Sequence, residues 1–289
     1  MLDTFSSHRA RLLSLAYRLL GSWVDAEDIV QETHLAWLKR DDTPLDSERA
    51  WLERVVTNRC LDLMKSARVR REEYLGPWLP EPMATSEVQL EPVDVEAVSL
   101  AFLTLLERLS PLERAVYVLA EAFDYSHDDL AKALHKEPAA VRQLLHRARA
   151  HVQAGRPRFA ANQTAHEAML GSFFGAVMVG DVASLETLLV ADATASSDGG
   201  GKVRAAINVV TGANRVARFF VGVAKKQPPD ARFELLDING WPSIVSLVGA
   251  VVIGVTQLET DGERVYSVST VANPDKLRAL AKHLARRPV

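Results

Sequence analysis

Residues 109–152 read LSPLERAVYVLAEAFDYSHDDLAKALHKEPAAVRQLLHRARAHV. Ser110, Pro111 and Glu113 form a helix-start signature: Ser as cap, Pro at the first helical position, Glu at the third. A helix to about Phe123 should follow. Ser126 opens a short second helix that ends near Leu134. A turn at His135–Glu137 precedes a last helix from Pro138 to about Val152. In that helix Val141, Leu144, Leu145 and Ala148 supply a packing side, while Arg142, Gln143, His146, Arg147 and Arg149 crowd the other. Two short helices joined by a tight turn, the second of them basic, make the helix-turn-helix pattern that enters the major groove of DNA. The competing reading is a solvated basic face.

Local charge supports the DNA reading. The net charge of −3 hides an asymmetry. Between Glu72 and Leu130 the only Lys or Arg residues are Arg108 and Arg114; from Lys136 to Arg158 six basic residues face the single acid Glu137. A basic stripe behind an acidic segment says more than the sum.

On the N-terminal side, residues 8–71 read as three helices. Leu12, Leu15, Ala16 and Leu19 recur at helical spacing and end at Gly21. Asp25 opens the second helix, with Ile29, Val30, Thr33, Trp37 and Leu38 on one face. Pro44 to Ser47 form a break. Trp51, Leu52, Val55, Val56, Cys60 and Met64 mark the third helix, which runs into Lys65, Arg68, Arg70 and Arg71. Residues 75–96 are rich in Pro and acids and read as an extended linker, although Trp78 and Leu79 are unusually apolar for one. Helical pattern resumes at Val98–Leu109.

Beyond Gly155 the character changes. Helices are expected over Thr164–Val179, up to Val190, and over Ala213–Lys225. Between them, β-type runs fall at Thr194–Ser197, Arg232–Asn239, Ile244–Thr256 and Val265–Val271, which is an α+β pattern. The run Ile244 to Val255 is too short to span a bilayer and reads as one buried strand. Cys60 is the only cysteine, so no internal disulfide is possible. The opening MLDTFSSHRARLL lacks the basic-then-apolar pattern of a secretory leader, so a cytoplasmic, non-membrane chain is expected.

Together AYRLLGSWVDAEDIVQETHLAWLK, AWLERVVTNRCLDLMKSARVRR and the 109–152 string resemble the extracytoplasmic-function sigma factors in order, spacing and length. GPWLPEP at Gly76–Pro82, DGGGK at Asp198–Lys202 and NPDKL at Asn273–Leu277 resemble the motifs of the subgroup with a fused SnoaL-like domain. The implied architecture is multidomain. Two all-α sigma domains, the second a helix-turn-helix, are joined by an extended linker and followed by a cone-shaped α+β SnoaL-like domain. The expected divisions are 1–72, 73–97, 98–154 and 160–289. His135 stands in the helix-turn-helix turn where this family often has glycine, which puts turn geometry in question.

The resemblance also implies roles. Asp25, Glu27, Asp28, Gln31 and Glu32 would dock on the β′ clamp helices of core RNA polymerase, with the helix-turn-helix domain near the β flap. Asn58, Arg59, Asp62, Lys65 and Arg68 would contact the minus-ten DNA, where Asn can read a base edge and cations meet phosphates. Arg142, Gln143, His146, Arg147 and Arg149 would contact the minus-thirty-five element. A regulatory contact in cis would join Trp78, Leu79, Pro80, Glu81 and Pro82 to Asp198, Gly199, Gly200, Gly201 and Lys202, and to Asn273, Pro274, Asp275 and Lys276. Trp78 and Leu79 would be its apolar anchor.

No catalytic residue, cofactor or metal is expected, and the free protein should be a monomer. The alternative is a one-component DNA-binding regulator whose C-terminal domain senses a small hydrophobic ligand. An enzyme of the SnoaL kind would need a general base in the cavity, with Asp192, Asp198 or Asp237 as candidates.

Overall fold

The computed structural model describes residues 2–41, 43–72, 74–87, 98–155 and 162–286. They cluster into two compact units. One holds residues up to 72, 86–87, 98 and 102–155; the other holds 74–85, 99–101 and 162–286.

The first unit is helical. α1 (Leu2–Leu20), α2 (Trp23–Leu38) and α3 (Glu48–Glu72) pack on one another through Leu12, Leu15, Leu19, Val30, Trp37, Leu52, Val56 and Cys60, all buried. Gly21, at φ +66°, ends α1. Ser22 caps α2 by accepting the Asp25 N–H at 3.2 Å, so α2 starts two residues before Asp25, which sits within its first turn. α4 (Leu100–Leu106) is shorter than the 98–109 expected. α5 (Pro111–Phe123) carries the full capping box between Ser110 and Glu113. α6 (His127–Leu134) and α7 (Pro138–Gly155) follow. Burial pushes the Cys60 thiol up, which leaves it an inert core group.

His135 ends α6 at φ 50°, ψ 51°, and its N–H closes on the Ala131 carbonyl. This left-handed conformation crowds any Cβ. The departure from glycine is therefore absorbed by strain, with the turn kept. His135→Gly is expected to raise stability by about 1 kcal/mol, seen as a higher Tm.

α5 also lies against α1 and α3. The buried Arg114 donates from Nε and Nη2 to the Arg18 carbonyl at 3.1 and 3.0 Å, and from Nη1 to the Glu107 carboxylate. Burial pulls its guanidinium down to about 9, still charged at neutral pH. Glu53 on α3 is 1% exposed and accepts from Arg11 Nε and from the Tyr125 hydroxyl, each at 2.5 Å. Burial and that carboxylate both push the Tyr125 phenol up, so it stays a donor.

The second unit is a six-stranded sheet with helices on both faces. Its elements are α8 (Gln163–Val179), α9 (Val182–Leu188), β1 (Leu189–Asp198), β2 (Val210–Thr211), α10 (Ala213–Ala224), β3 (Ala231–Ile238), β4 (Trp241–Val248), β5 (Val251–Thr260), β6 (Val265–Val271) and α11 (Pro274–Leu284). The strand order is β2-β1-β6-β5-β4-β3, with β1 and β6 parallel and the other pairs antiparallel. The apolar run expected as one strand is two: Gly249, at φ +57°, turns the chain and β4 pairs back on β5. Both strands are apolar because each face of the sheet is covered.

Alternation along each strand divides the faces. Ala193, Ala195, Leu258 and Val268 point toward α8, α9 and α10. Val245, Val255 and Val271 point the other way, onto Leu277 and Leu280 of α11 and onto Leu79, Ala84 and Leu100. The linker thus supplies part of this unit's core.

His166 on α8 is buried and stacked on Trp241 at 4.9 Å, and burial lowers its pKa to about 4. The unfolded chain therefore binds more protons between this value and the ordinary one near 6.5. Stability from this residue is full above about pH 6.5 and is lost as pH falls toward about 4. Urea unfolding across that range should show the slope, and His166→Phe should flatten it.

Candidate nucleic-acid interface and linker clasp

On α2 the acidic positions divide by depth. Asp28, Gln31 and Glu32 are exposed, while Asp25 and Glu27 are half-buried. Val24, Leu35 and Leu38 are also exposed and fall at helical spacing with Asp28 and Gln31. The outer face of α2 is therefore a mixed acidic and apolar stripe. Sequence reasoning missed its apolar half, because exposure of single leucines cannot be read from periodicity.

On α3, Asp62 and Lys65 are exposed and paired at 2.9 Å, while Asn58 and Arg59 are half-buried. Arg59 forms an ion pair with Glu32 of α2. Exposed pairs of this kind are worth about 0–1 kcal/mol, so a phosphate can exchange into them at little cost. The side chain of Arg68 lies outside the described residues.

On α7, Val141, Leu145 and Ala148 are buried, while Arg142, Gln143, His146, Arg147 and Arg149 are exposed. Ala139, Arg142, Gln143, His146 and Arg147 line one shallow depression. Arg147 is held by Glu113 at 3.1 Å and Arg149 by Glu121 at 2.7 Å. Burial alone would raise the Glu113 carboxyl, but the Ser110 hydroxyl, the Ser110 N–H and Arg147 outweigh it and hold it low. The helix therefore presents Arg142, Gln143 and His146, which have no ion pair among the described residues, beside two cations oriented by α5.

The linker motif is clasped by the second unit around one carboxylate. Asp198 ends β1 with no exposure at all. Its Oδ2 accepts the Leu79 N–H at 2.8 Å and Lys276 Nζ at 2.7 Å. Its Oδ1 accepts the Tyr74 hydroxyl at 2.5 Å and the Gly200 N–H at 3.1 Å. Lys276 also donates to the Leu79 carbonyl and lies 3.9 Å from the Trp78 ring centroid. Asn273 donates to the Tyr74 hydroxyl at 2.8 Å and caps α11. Burial and Asp198 together push the Tyr74 phenol up, so it remains a donor. A buried ion pair with every lone pair used fixes one geometry, which is its attested use.

The glycines of 199–201 serve this packing. A Cβ on Gly200 would come within 2.2 Å of the Asn273 side chain, and one on Gly199 within 2.7 Å of the Val203 carbonyl. The anchor expected from Trp78 and Leu79 divides into two jobs. Leu79 is buried in the core, whereas Trp78 is partly exposed and meets a cation. Pro80, Glu81 and Pro82 are buried. Lys202 does not touch the linker motif; it pairs with Asp275, which also takes Arg278 at 2.7 Å. Pro274 opens α11.

A second stitch was not foreseen. Met83 donates its N–H to Asn239 Oδ1 and accepts the Asn239 N–H, both at 2.8 Å. Thr85 bonds the Asp237 carbonyl at 3.0 Å, and Leu100 donates to Gln257 at 3.2 Å. Asn239-Gly240 reads in sequence as a hairpin turn. Nothing local says that the Asn side chain serves another segment. Asp192 and Asp237 are exposed and Asp198 is spent on the clasp; none of the three lines the cavity of this unit.

The Sigma-70 region 2 family matches residues 4–70, and the Sigma-70 region 4 family matches residues 99–152. The ECF RNA polymerase sigma factor SigJ of Mycobacterium tuberculosis is 35% identical, over 94% of this chain and 91% of that protein. The probable ECF sigma factor SigI of the same organism is 30% identical, over 96% and 95%. The crystal structure of Mycobacterium tuberculosis SigJ superposes with a TM-score of 0.77 at 32% identity, covering 96% of this chain and 99% of that one.

Proposed function

The chain belongs to the extracytoplasmic-function RNA polymerase sigma factors, and on that premise we propose that its C-terminal unit governs sigma activity in cis by holding the linker. As a sigma factor it acts on core RNA polymerase and directs transcription initiation from promoters. Sigma factors are initiation factors, not enzymes, and the polymerase supplies the chemistry.

The observation that carries the regulatory reading is the Asp198 carboxylate, buried and saturated by donors from Tyr74, Leu79 and Lys276. Linker residues that complete another unit's core are withdrawn from the tether between region 2 and region 4. Their release lengthens that tether, and loop closure depends on its length. In this reading the outer face of α2 meets the β′ clamp helices and α3 holds the melted minus-ten strand. Arg142, Gln143 and His146 of α7 read the minus-thirty-five element, each good base contact being worth about 1–3 kcal/mol.

The test is runoff transcription with core polymerase, using the full chain and its Trp78→Ala variant. Loss of the ring over Lys276 removes about 1 kcal/mol, equivalent to about a fivefold shift in clasp occupancy. Expected are faster protease cutting within residues 74–85, a matching change in runoff output, and an unchanged circular-dichroism spectrum. Wild-type output with an unchanged cutting pattern would refute the regulatory role.

A further inference from the structure

The second unit encloses a cavity of about 750 Å³ between the sheet, α8 and α10. This volume suits a drug-sized organic molecule. Its walls are aromatic: Phe174 meets Phe233 edge-on at 4.9 Å, and Phe173 meets Phe220 at 5.4 Å. The floor is a row of small polar side chains across three neighbouring strands. Ser197 of β1 is in register with Thr270 of β6, and Thr270 with Thr256 of β5. The two threonine hydroxyls lie 3.1 Å apart, so one hydrogen-bonds the other and lone pairs remain for a guest.

Charge at the cavity is one-sided. Arg204 and Lys226 are its ionic residues, both exposed at the rim, and no Asp, Glu or His lines it. Among the described residues neither cation has a carboxylate partner. An apolar chamber with a hydroxyl floor and a cationic rim complements an apolar body bearing one anionic head. It offers no general base.

The same wall that lines the cavity backs the clasp. Ser197 faces the cavity and the next residue, Asp198, takes the Leu79 N–H on the other side of the sheet. Ala272 lines the cavity, and the next residue, Asn273, binds Tyr74. The lining residue Ala206 has its carbonyl 3.7 Å from where a Cβ on Gly76 would stand. A guest that displaces Ser197, Ala206 or Ala272 also displaces the groups that hold the linker.

We propose that this cavity binds an amphipathic carboxylate, with an apolar chain or ring inside and the carboxylate at Arg204 and Lys226, and that its occupancy is read by the linker clasp. The second half builds on the regulatory role proposed above; the first does not.

Gly254 allows a direct test. It lines the cavity, and a Cβ there meets nothing closer than 3.7 Å, so a larger side chain enters the empty space. Calorimetric titration of the full chain with decanoate and naphthylacetate, against decanol and decylamine, reads binding without reference to transcription. One-site, saturable binding of either acid is expected, lost in Gly254→Phe. In Arg204→Ala/Lys226→Ala it should weaken about tenfold, each tenfold corresponding to about 1.4 kcal/mol, while decanol binding is unchanged. The bound acid should also change protease cutting of residues 74–85.

Absence of saturable binding by both acids, or decylamine binding as tightly as decanoate, would overturn the ligand assignment. If Gly254→Phe retains its circular-dichroism spectrum and still binds at wild-type affinity, the cavity is not the site. Binding without altered linker cutting overturns the coupling alone and leaves the regulatory role of the clasp to the Trp78 test.

Discussion

Asp198→Ala should destabilise the second unit by about 3–5 kcal/mol, because it leaves the Lys276 ammonium buried without its counter-ion. The Lys276 side chain is 8% exposed and that of Asp198 fully buried, so water cannot replace the lost partner without opening the linker contact. The Leu79 and Gly200 N–H groups lose their acceptor in the same step. An unpaired buried donor costs about 1–3 kcal/mol, which favours release of the linker over tolerance of the defect. Urea unfolding should show the loss, and proteolysis should cut residues 74–85 at rates set by an open strap. Adding Lys276→Met removes the orphaned charge and should recover part of the stability. It should not restore protection, since both backbone donors still lack a partner. An Asp198→Ala variant with wild-type stability and protection would remove the carboxylate from its central position.

Arg114→Met should loosen the first unit by about 3 kcal/mol, within the range seen when one partner of a buried pair is removed. Methionine fills much of the volume, so the loss comes from polar groups. The Arg18 carbonyl loses two donors and Glu107 its counter-ion. This residue ties α5, in the matched region 4, to α1, in the matched region 2. Hydrogen exchange of the full chain should therefore quicken on α1 and α5 together, with the helix-turn-helix itself less affected. Arg114 and Glu53 each join the two matched regions, the first through the Arg18 carbonyl and the second through the Tyr125 hydroxyl. Unchanged exchange on both helices would show that the contact is not a tie.

Much of this was legible in the chain. Ser110-Pro111-Leu112-Glu113 predicted its own capping box, because every atom of that motif lies within one turn. The helix-turn-helix was readable for the same reason, as its packing side and exposed side alternate at helical spacing. The clasp was half legible. The glycines of 199–201 and the linker motif stood out as sequence, but the atoms that join them are separated by more than 100 residues. Tyr74, Asn239 and Gln257 were invisible, because each acts through one side chain on a distant group: Tyr74 on the Asp198 carboxylate, Asn239 and Gln257 on backbone N–H groups. The β4–β5 hairpin was misread as one strand because the turn at Gly249-Ala250 carries no polar residue to set it off from the apolar run around it. The cavity was expected only through the family resemblance; its lining could not be read, since phenylalanines at helical spacing read as core whether or not the space beside them is filled.

The distance along the chain between Leu79 and Lys276 has a consequence for synthesis. These partners are 197 residues apart. At roughly 5–20 residues per second, a ribosome leaves on the order of 10–40 s between the emergence of the two. In the later part of that interval, once residue 152 has emerged, regions 2 and 4 are complete while Asn273 and Lys276, which on the regulatory reading proposed above restrain their tether, have not been made. On the regulatory reading proposed above, a nascent chain passes through a stage in which it can meet polymerase unrestrained, and restraint arrives only with α11. On that reading, translation speed across the last third of the message bears on how much of the protein is ever restrained.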